Sequence, residues 1–461
     1  MKSKLIVLII FSALVGSTLL LTAEAGTRSA TSLSGLPSSG NFNYVTLADV
    51  NKDGYLDIIA GAGGYPGEDP GGLYAYISQS GKSFKKESSG LPGEGKSYFG
   101  SVQVVDVDGD GNLDIVAAYE SRWSRGDDKG IGIWLGNGGS GGSMKWTETT
   151  SPVTSGSYDC AHCADIDGDG DMDLVGGSSS GLYAWQGSHS PLGISWYEAS
   201  TNLPTSNEYT GVRLGDLNND DRLDIIAGSY SSQGISVFLC SDSGSIWWED
   251  GHSDTDLIQS GNSFDMRIVD LNGDSNMDIV ASLRGGIRAY LGNGCSGGKD
   301  TWWTEVSTGL PTSSDYYELA IADLDNDGKM DIGCSFKVWY NSGSMTDSSS
   351  YSWTEFDLGI SEKESIGFDI GDLDKDGHQD IVGCGWGFGV KAYSLELGDP
   401  GDPGDPGDPG DPSDPGDPGD PDGPEDESGE ESDSTPFVEA PLVAIALIGI
   451  LLLMKIRRKR K

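Results

Sequence analysis

The chain has 461 residues, 70 of them glycine, and a formal net charge of −43. Such a surface repels phosphate and excludes nucleic acid as a partner, because that attraction needs clustered Lys and Arg. No sustained 3.6-residue apolar pattern lies outside the two ends, which excludes helices as the main element; short alternating runs bounded by Gly, Ser, Asn and Pro predict strands.

Residues 1–25 carry Lys2 and Lys4, an apolar run from Leu5 to Leu21, and the small-residue pattern Ala23-Glu24-Ala25. This predicts a secretory signal peptide cut after Ala25.

Residues 26–398 are organised by an acidic loop of nine residues leading into a short apolar run, met first as Asp49-Val50-Asn51-Lys52-Asp53-Gly54-Tyr55-Leu56-Asp57-Ile58-Ile59. It recurs with starts at Asp106, Asp165, Asp216, Asp270, Asp323 and Asp372, 49 to 59 residues apart. Recurrence at about fifty residues predicts a repeat architecture.

Side-chain oxygens stand at positions 1, 3, 5 and 9 of each loop, and a tight turn brings alternate residues to one centre. With the position 7 carbonyl and a water they suit the six to eight oxygens of calcium better than the strict octahedron of magnesium. The seven cages are Asp49, Asn51, Asp53, Tyr55 and Asp57; Asp106, Asp108, Asp110, Asn112 and Asp114; and Asp165, Asp167, Asp169, Asp171 and Asp173. They continue with Asp216, Asn218, Asp220, Arg222 and Asp224; Asp270, Asn272, Asp274, Asn276 and Asp278; Asp323, Asp325, Asp327, Lys329 and Asp331; and Asp372, Asp374, Asp376, His378 and Asp380. In each set the fourth residue acts through its carbonyl. Twenty-five of the twenty-eight side-chain positions are carboxylates, so the loops repel themselves without a cation. Up to seven Ca2+ are expected, with the fifth loop weakest, because Asp221 and Ser275 replace the position 6 glycine where φ is positive and Asp tolerates that better than Ser. A helix-flanked calcium hand is excluded, since position 12 holds Ala, Gly or Cys where that motif needs Glu.

Positions 2 and 10 are always apolar, which predicts that they pin the cage to its blade core while the ligands point outward. Each repeat reads as four strands, and seven such units predict an all-β, seven-bladed β-propeller. Six fourth strands align as Lys85-Lys86-Glu87, Trp146-Thr147-Glu148, Trp196-Tyr197-Glu198, Trp247-Trp248-Glu249, Trp303-Thr304-Glu305 and Trp353-Thr354-Glu355. The seventh unit stops one strand short. The segment from Ala30 to Pro37 matches Thr304 to Pro311, so residues 28–36 are expected to close the last blade as an N-terminal strand.

The seven Asp-x-[Asp/Asn]-x-Asp loops, each leading into Asp-[Ile/Leu], with Phe99-Gly100 before the second, resemble the FG-GAP or VCBS repeats of integrin α-chain-type β-propellers. The resemblance covers about residues 28–397. It implies calcium between the first two strands of each blade and a protein or glycan ligand on the opposite face, in adhesion or surface recognition. Strand order puts Tyr119, Glu120, Arg122 and Trp123 on that face, with Tyr65 and Glu68 as neighbours on the previous blade, and these are the candidate ligand-binding residues. Arg125-Gly126-Asp127 is a three-residue match that a Gly- and Asp-rich chain produces by coincidence. A polysaccharide lyase or hydrolase is the competing class; no catalytic constellation is identified, because the clustered carboxylates are assigned to metal.

Residues 399–435 are mostly Gly-Asp-Pro triplets followed by an acidic run, and predict an extended stalk. Residues 436–455 form an apolar transmembrane or sorting segment and 456–461 a basic cytoplasmic tail, so the chain is expected at the cell surface, anchored in the membrane. An exported chain allows a disulfide between Cys240 and Cys295 or between Cys334 and Cys384; Cys160 and Cys163 suit a local disulfide or two packed thiols better than a metal cluster.

Overall fold

The computed structural model describes residues 29–396 other than 64–70, 94–97, 121–129, 140–141, 191–192, 231–233, 242–245, 247, 252–256, 259, 297–301, 344–349, 359 and 361–364. Within them are seven antiparallel sheets of four strands each, the seven-bladed propeller expected from the repeats. No helix among the described residues is long and apolar enough to cross a membrane. The signal, stalk, apolar segment and basic tail lie outside the described residues.

The first strands of the blades are Phe42–Ala48, Tyr98–Val105, Tyr158–Ala164, Tyr209–Gly215, Ser263–Val269, Ala320–Ala322 and Gly367–Gly371. They pack against one another around the axis. Every second strand begins at position 9 of the loop: Asp57–Ala62, Asp114–Glu120, Asp173–Ser178, Asp224–Ser229, Asp278–Leu283, Asp331–Cys334 and Asp380–Gly385. Each acidic loop is therefore the first hairpin connection of its blade, and all seven lie at the same end of their sheets.

The core is divided among the blade interfaces. Val50 joins a cluster with Trp134 and Trp146 of blade 2, and Ile58 joins one with Val382 and Val390 of blade 7. The pattern holds right round the ring. Position 2 (Val50, Val107, Ile166, Leu217, Leu271, Leu324, Leu373) enters the interface with the following blade, and position 10 (Ile58, Ile115, Leu174, Ile225, Ile279, Ile332, Ile381) the interface with the preceding one. Both sets are buried. The loop is thus pinned to two interfaces and not only to its own blade, because successive residues on either side of a hairpin face opposite sides of the sheet.

Ser29–Ser32 pairs antiparallel with Gly389–Glu396 and completes blade 7, as the repeat register requires. Ser32 lies opposite Tyr393 where Glu305 lies opposite Tyr290 in blade 5. Ala30 thus takes the place of Trp303, one residue away from the sequence match, and the offset is absorbed before Gly35. Two fourth strands also shift by one. Phe84 opposes Ser78, and Trp248 opposes Cys240, as Trp146 opposes Gly136. Phe84 and Trp248 are the buried anchors, at the place where the alignment of fourth strands puts Lys85 and Trp247. Indole donors then tie neighbours: Trp248 Nε1 donates to Ala199 O at 2.9 Å and Trp353 Nε1 to Val306 O at 2.8 Å.

All six cysteines are free. Cys160 and Cys163 are three apart on one strand, so they face opposite sides and sit in different core clusters. Cys295 Sγ lies 3.4 Å from Leu217 O, and Cys334 and Cys384 belong to separate interfaces.

Deleting residues 26–37 would expose the edge of Gly389–Glu396 and take Ala30, Leu33 and Leu36 out of the two clusters flanking blade 7. A lower thermal midpoint with concentration-dependent aggregation is expected by scanning calorimetry and light scattering; an unchanged midpoint would show that the strand does not carry the closure.

Candidate metal centres and the axial network

Seven loops share one hydrogen-bond pattern. The position 1 carboxylate accepts from the position 6 N–H, as Asp49 Oδ2 does from Gly54 at 2.7 Å and Asp270 Oδ2 from Ser275 at 2.8 Å. The position 3 oxygen accepts from the position 5 N–H, and the position 5 carboxylate from the position 7 N–H, as in Asp108 to Asp110 at 3.2 Å and Asp110 to Asn112 at 2.7 Å. Position 6 has positive φ throughout, +68° at Asp221 and +70° at Ser275 included. Both non-glycine residues therefore keep the turn.

Position 9 differs from the expectation that ligands point outward. All seven of these aspartates are buried. One oxygen accepts from the position 2 N–H, for example Asp224 Oδ2 from Leu217 at 2.9 Å, and the other from the third strand, Asp224 Oδ1 from Cys240 N at 2.8 Å. The same two bonds hold Asp57, Asp114, Asp173, Asp278, Asp331 and Asp380. The carboxylate thereby fastens the loop to the middle of its sheet. Burial pushes each of these carboxyls up to about 7, against the lowering effect of the two N–H donors.

Four loops bring carboxylates at positions 1, 3 and 9 within 4.8 Å of one another: Asp106, Asp108 and Asp114; Asp165, Asp167 and Asp173; Asp323, Asp325 and Asp331; Asp372, Asp374 and Asp380. These groups are able to hold a metal ion. The other three loops have Asn51, Asn218 or Asn272 at position 3 and gather no such group among the described residues. In the second loop Asp106 Oδ1 is buried without a hydrogen-bond partner. An orphaned anionic oxygen beside two further carboxylates fits a hard cation.

Along the axis lies a network that the loop pattern does not reveal. Arg213 Nη2 meets Asp265 Oδ1 at 2.5 Å, Arg267 bonds the same carboxylate, and Arg267 Nη2 lies 3.8 Å from Glu318 Oε1. Main-chain donors extend it: Leu319 N to Asp265 Oδ2 at 3.0 Å, Phe368 N to Glu318 Oε2 at 2.9 Å, Leu47 N to Asp369 Oδ2 at 2.8 Å. These contacts cross from blade 4 to blade 1. Burial holds the Glu318 and Asp369 carboxyls above the usual range. Burial, then Arg213 and Arg267, lowers His162 to about 3, so its imidazole is neutral. The sequence signal was available: these residues stand three and five places before position 1, facing the axis by alternation.

Tyr65, Glu68, Arg122 and Trp123, with the Arg125-Gly126-Asp127 tripeptide, lie outside the described residues, as do the side chains of Tyr119 and Glu120, whose backbone extends the second strand of blade 2.

An FG-GAP-like repeat model matches residues 49–117, 165–227 and 270–334. No curated protein matches the chain. Among solved structures, the extracellular domain assigned to a one-component system, BT4673, of B. thetaiotaomicron is 12% identical over 80% of this chain, with a TM-score of 0.44; the chain spans 40% of that protein. A BBS1N structure in complex with ARL6DN is 10% identical, covering 78% of this chain and 94% of that one, with a TM-score of 0.48. An Agrocybe aegerita lectin that recognises non-reducing terminal N-acetylglucosamine is 17% identical, covering 78% and 86%, with a TM-score of 0.42.

Asp224→Ala leaves two buried N–H groups unpaired and is expected to cost about 2–5 kcal/mol in denaturant unfolding, with or without cation; Asp224→Asn, which keeps one acceptor, should cost less. The raised position 9 carboxyls also set a pH dependence for the cation-free chain. The folded state keeps protons that the unfolded chain releases above its ordinary value of 3.8, so this contribution is complete below about 4 and is lost as pH rises through about 7. Chelated protein should therefore melt at a higher temperature at pH 5 than at pH 7.5; the opposite order would contradict the assignment.

Proposed function

We propose that this chain, an FG-GAP repeat β-propeller protein, is exported, held at the cell surface by its C-terminal segment, stabilised by calcium in its loops, and binds a protein or glycan partner on the face away from those loops. The observation that carries the calcium reading is the buried, unpartnered Asp106 Oδ1 beside Asp108 and Asp114. Positions 1, 3, 5 and 9 and the position 7 carbonyl would hold the ion, and its charge would offset the repulsion among the carboxylates. The three loops with Asn at position 3 would bind more weakly, one charge short.

The ligand reading is supported by side chains at the strand ends remote from the loops. Tyr230, Phe264 and Tyr317 come from consecutive blades with ring centroids 6.3 and 4.9 Å apart, and Tyr230 is 40% exposed. Trp386 of blade 7 is 54% exposed, its Nε1 donating to Asn43 Oδ1 at 2.8 Å. Exposed aromatics on a rigid scaffold are what recognition of a sugar ring or a protein side chain uses. Calcium should raise the thermal midpoint and chelator lower it. On arrays of surface glycans and proteins, Tyr230→Ala with Trp386→Ala should weaken binding about tenfold without moving that midpoint. Loss of a polymer's chain length on incubation would instead mark an enzyme.

A further inference from the structure

Position 4 of the acidic loop makes a demand of its own. Its φ lies between +59° and +75° in all seven copies. Gly109, Gly168 and Gly273 meet this without strain, but Lys52, Asn219, Asn326 and Lys375 occupy the same backbone conformation in the other four. Asn tolerates the left-handed region; Lys is seldom found there.

In each of those four loops the side chain crosses the blade boundary to position 7 of the next loop. Lys52 Nζ donates to Asn112 Oδ1 at 2.8 Å, and Asn219 Nδ2 to Asn276 Oδ1 at 2.9 Å. Asn326 Nδ2 lies 3.3 Å from His378 Nδ1. Lys375 Nζ stands 4.1 Å from the centre of the Tyr55 ring, which links the seventh loop to the first across the closure of the ring. Where position 4 is glycine there is no side chain to make this link. A residue type that the backbone disfavours thus stands where a neighbour receives it.

Position 7 is the residue whose carbonyl faces the ion under the calcium reading, on which this inference rests. Fixing its side chain from the previous loop fixes that carbonyl, and filling one loop then lowers the ordering cost of the next.

We infer that position 4 is a latch that couples the filling of neighbouring loops: the sixth, seventh, first and second form one linked arc, and the fourth and fifth a linked pair. The seventh loop, through His378 and Lys375, and the first, through Tyr55 and Lys52, are each held from both sides.

The test is a mutant cycle read by hydrogen exchange of the 49–57 amides in saturating calcium. Asp374→Ala disables the seventh loop. In the parent background it should speed exchange in the first loop about threefold, the scale of an exposed cation–π contact. In a Lys375→Gly background, which suits the local φ and keeps the fold, the same change should have no effect. An equal rise in both backgrounds, or a rise in neither, would overturn the latch while leaving calcium binding intact. No calcium uptake by the parent chain in a calorimetric titration would overturn the calcium reading and the latch together.

Discussion

The structure depends on one buried carboxylate repeated seven times. At position 9 an aspartate with both oxygens bonded to main-chain N–H groups joins the start of the acidic loop to the third strand of the same blade. Its neighbour at position 10 enters the preceding interface, and position 2, whose N–H it accepts, enters the following one. A single hairpin therefore fixes the blade internally and both of its contacts. The unsatisfied cost of losing that side chain would fall on two N–H groups at once, which is why an aspartate is retained inside an apolar sheet.

The axis is closed by a different device. Arg213, Asp265, Arg267, Glu318 and Asp369 run as ion pairs and charge-assisted hydrogen bonds from blade 4 to blade 1. Between blades 2 and 3 neutral groups do the same, with Gln103 bonded to both the N–H and the C=O of Cys163 at 2.6 and 2.9 Å. Apolar interfaces supply most of the adhesion between blades, and these polar crossings fix register where the first strands converge.

Much of this was legible in the sequence. The loop period, the apolar positions 2 and 10 and the truncated seventh unit lead to the propeller and to the closing strand, because each follows from a fixed alternation or a count. The role of position 9 was not legible: Asp at that place reads as a ligand, and only the fold shows that its two oxygens already serve the backbone. The fourth-strand register slipped at Phe84 and Trp248 because Lys85 and Trp247 satisfy the same three-letter pattern. The axial charges were visible as residues but not as a group, since blades distant in sequence supply them. The disulfide expectation failed for the same reason: Cys334 and Cys384 occupy equivalent strands yet serve different interfaces.

The dual demand on position 9 is most directly examined in a crystal structure of the calcium-loaded chain with the ions located by anomalous scattering. The account expects calcium in the loops of Asp106, Asp165, Asp323 and Asp372 at the highest occupancy, each ion reached by a position 9 carboxylate that keeps both backbone hydrogen bonds. Ions bound away from these loops, or position 9 aspartates that give up those bonds to reach the ion, would contradict it.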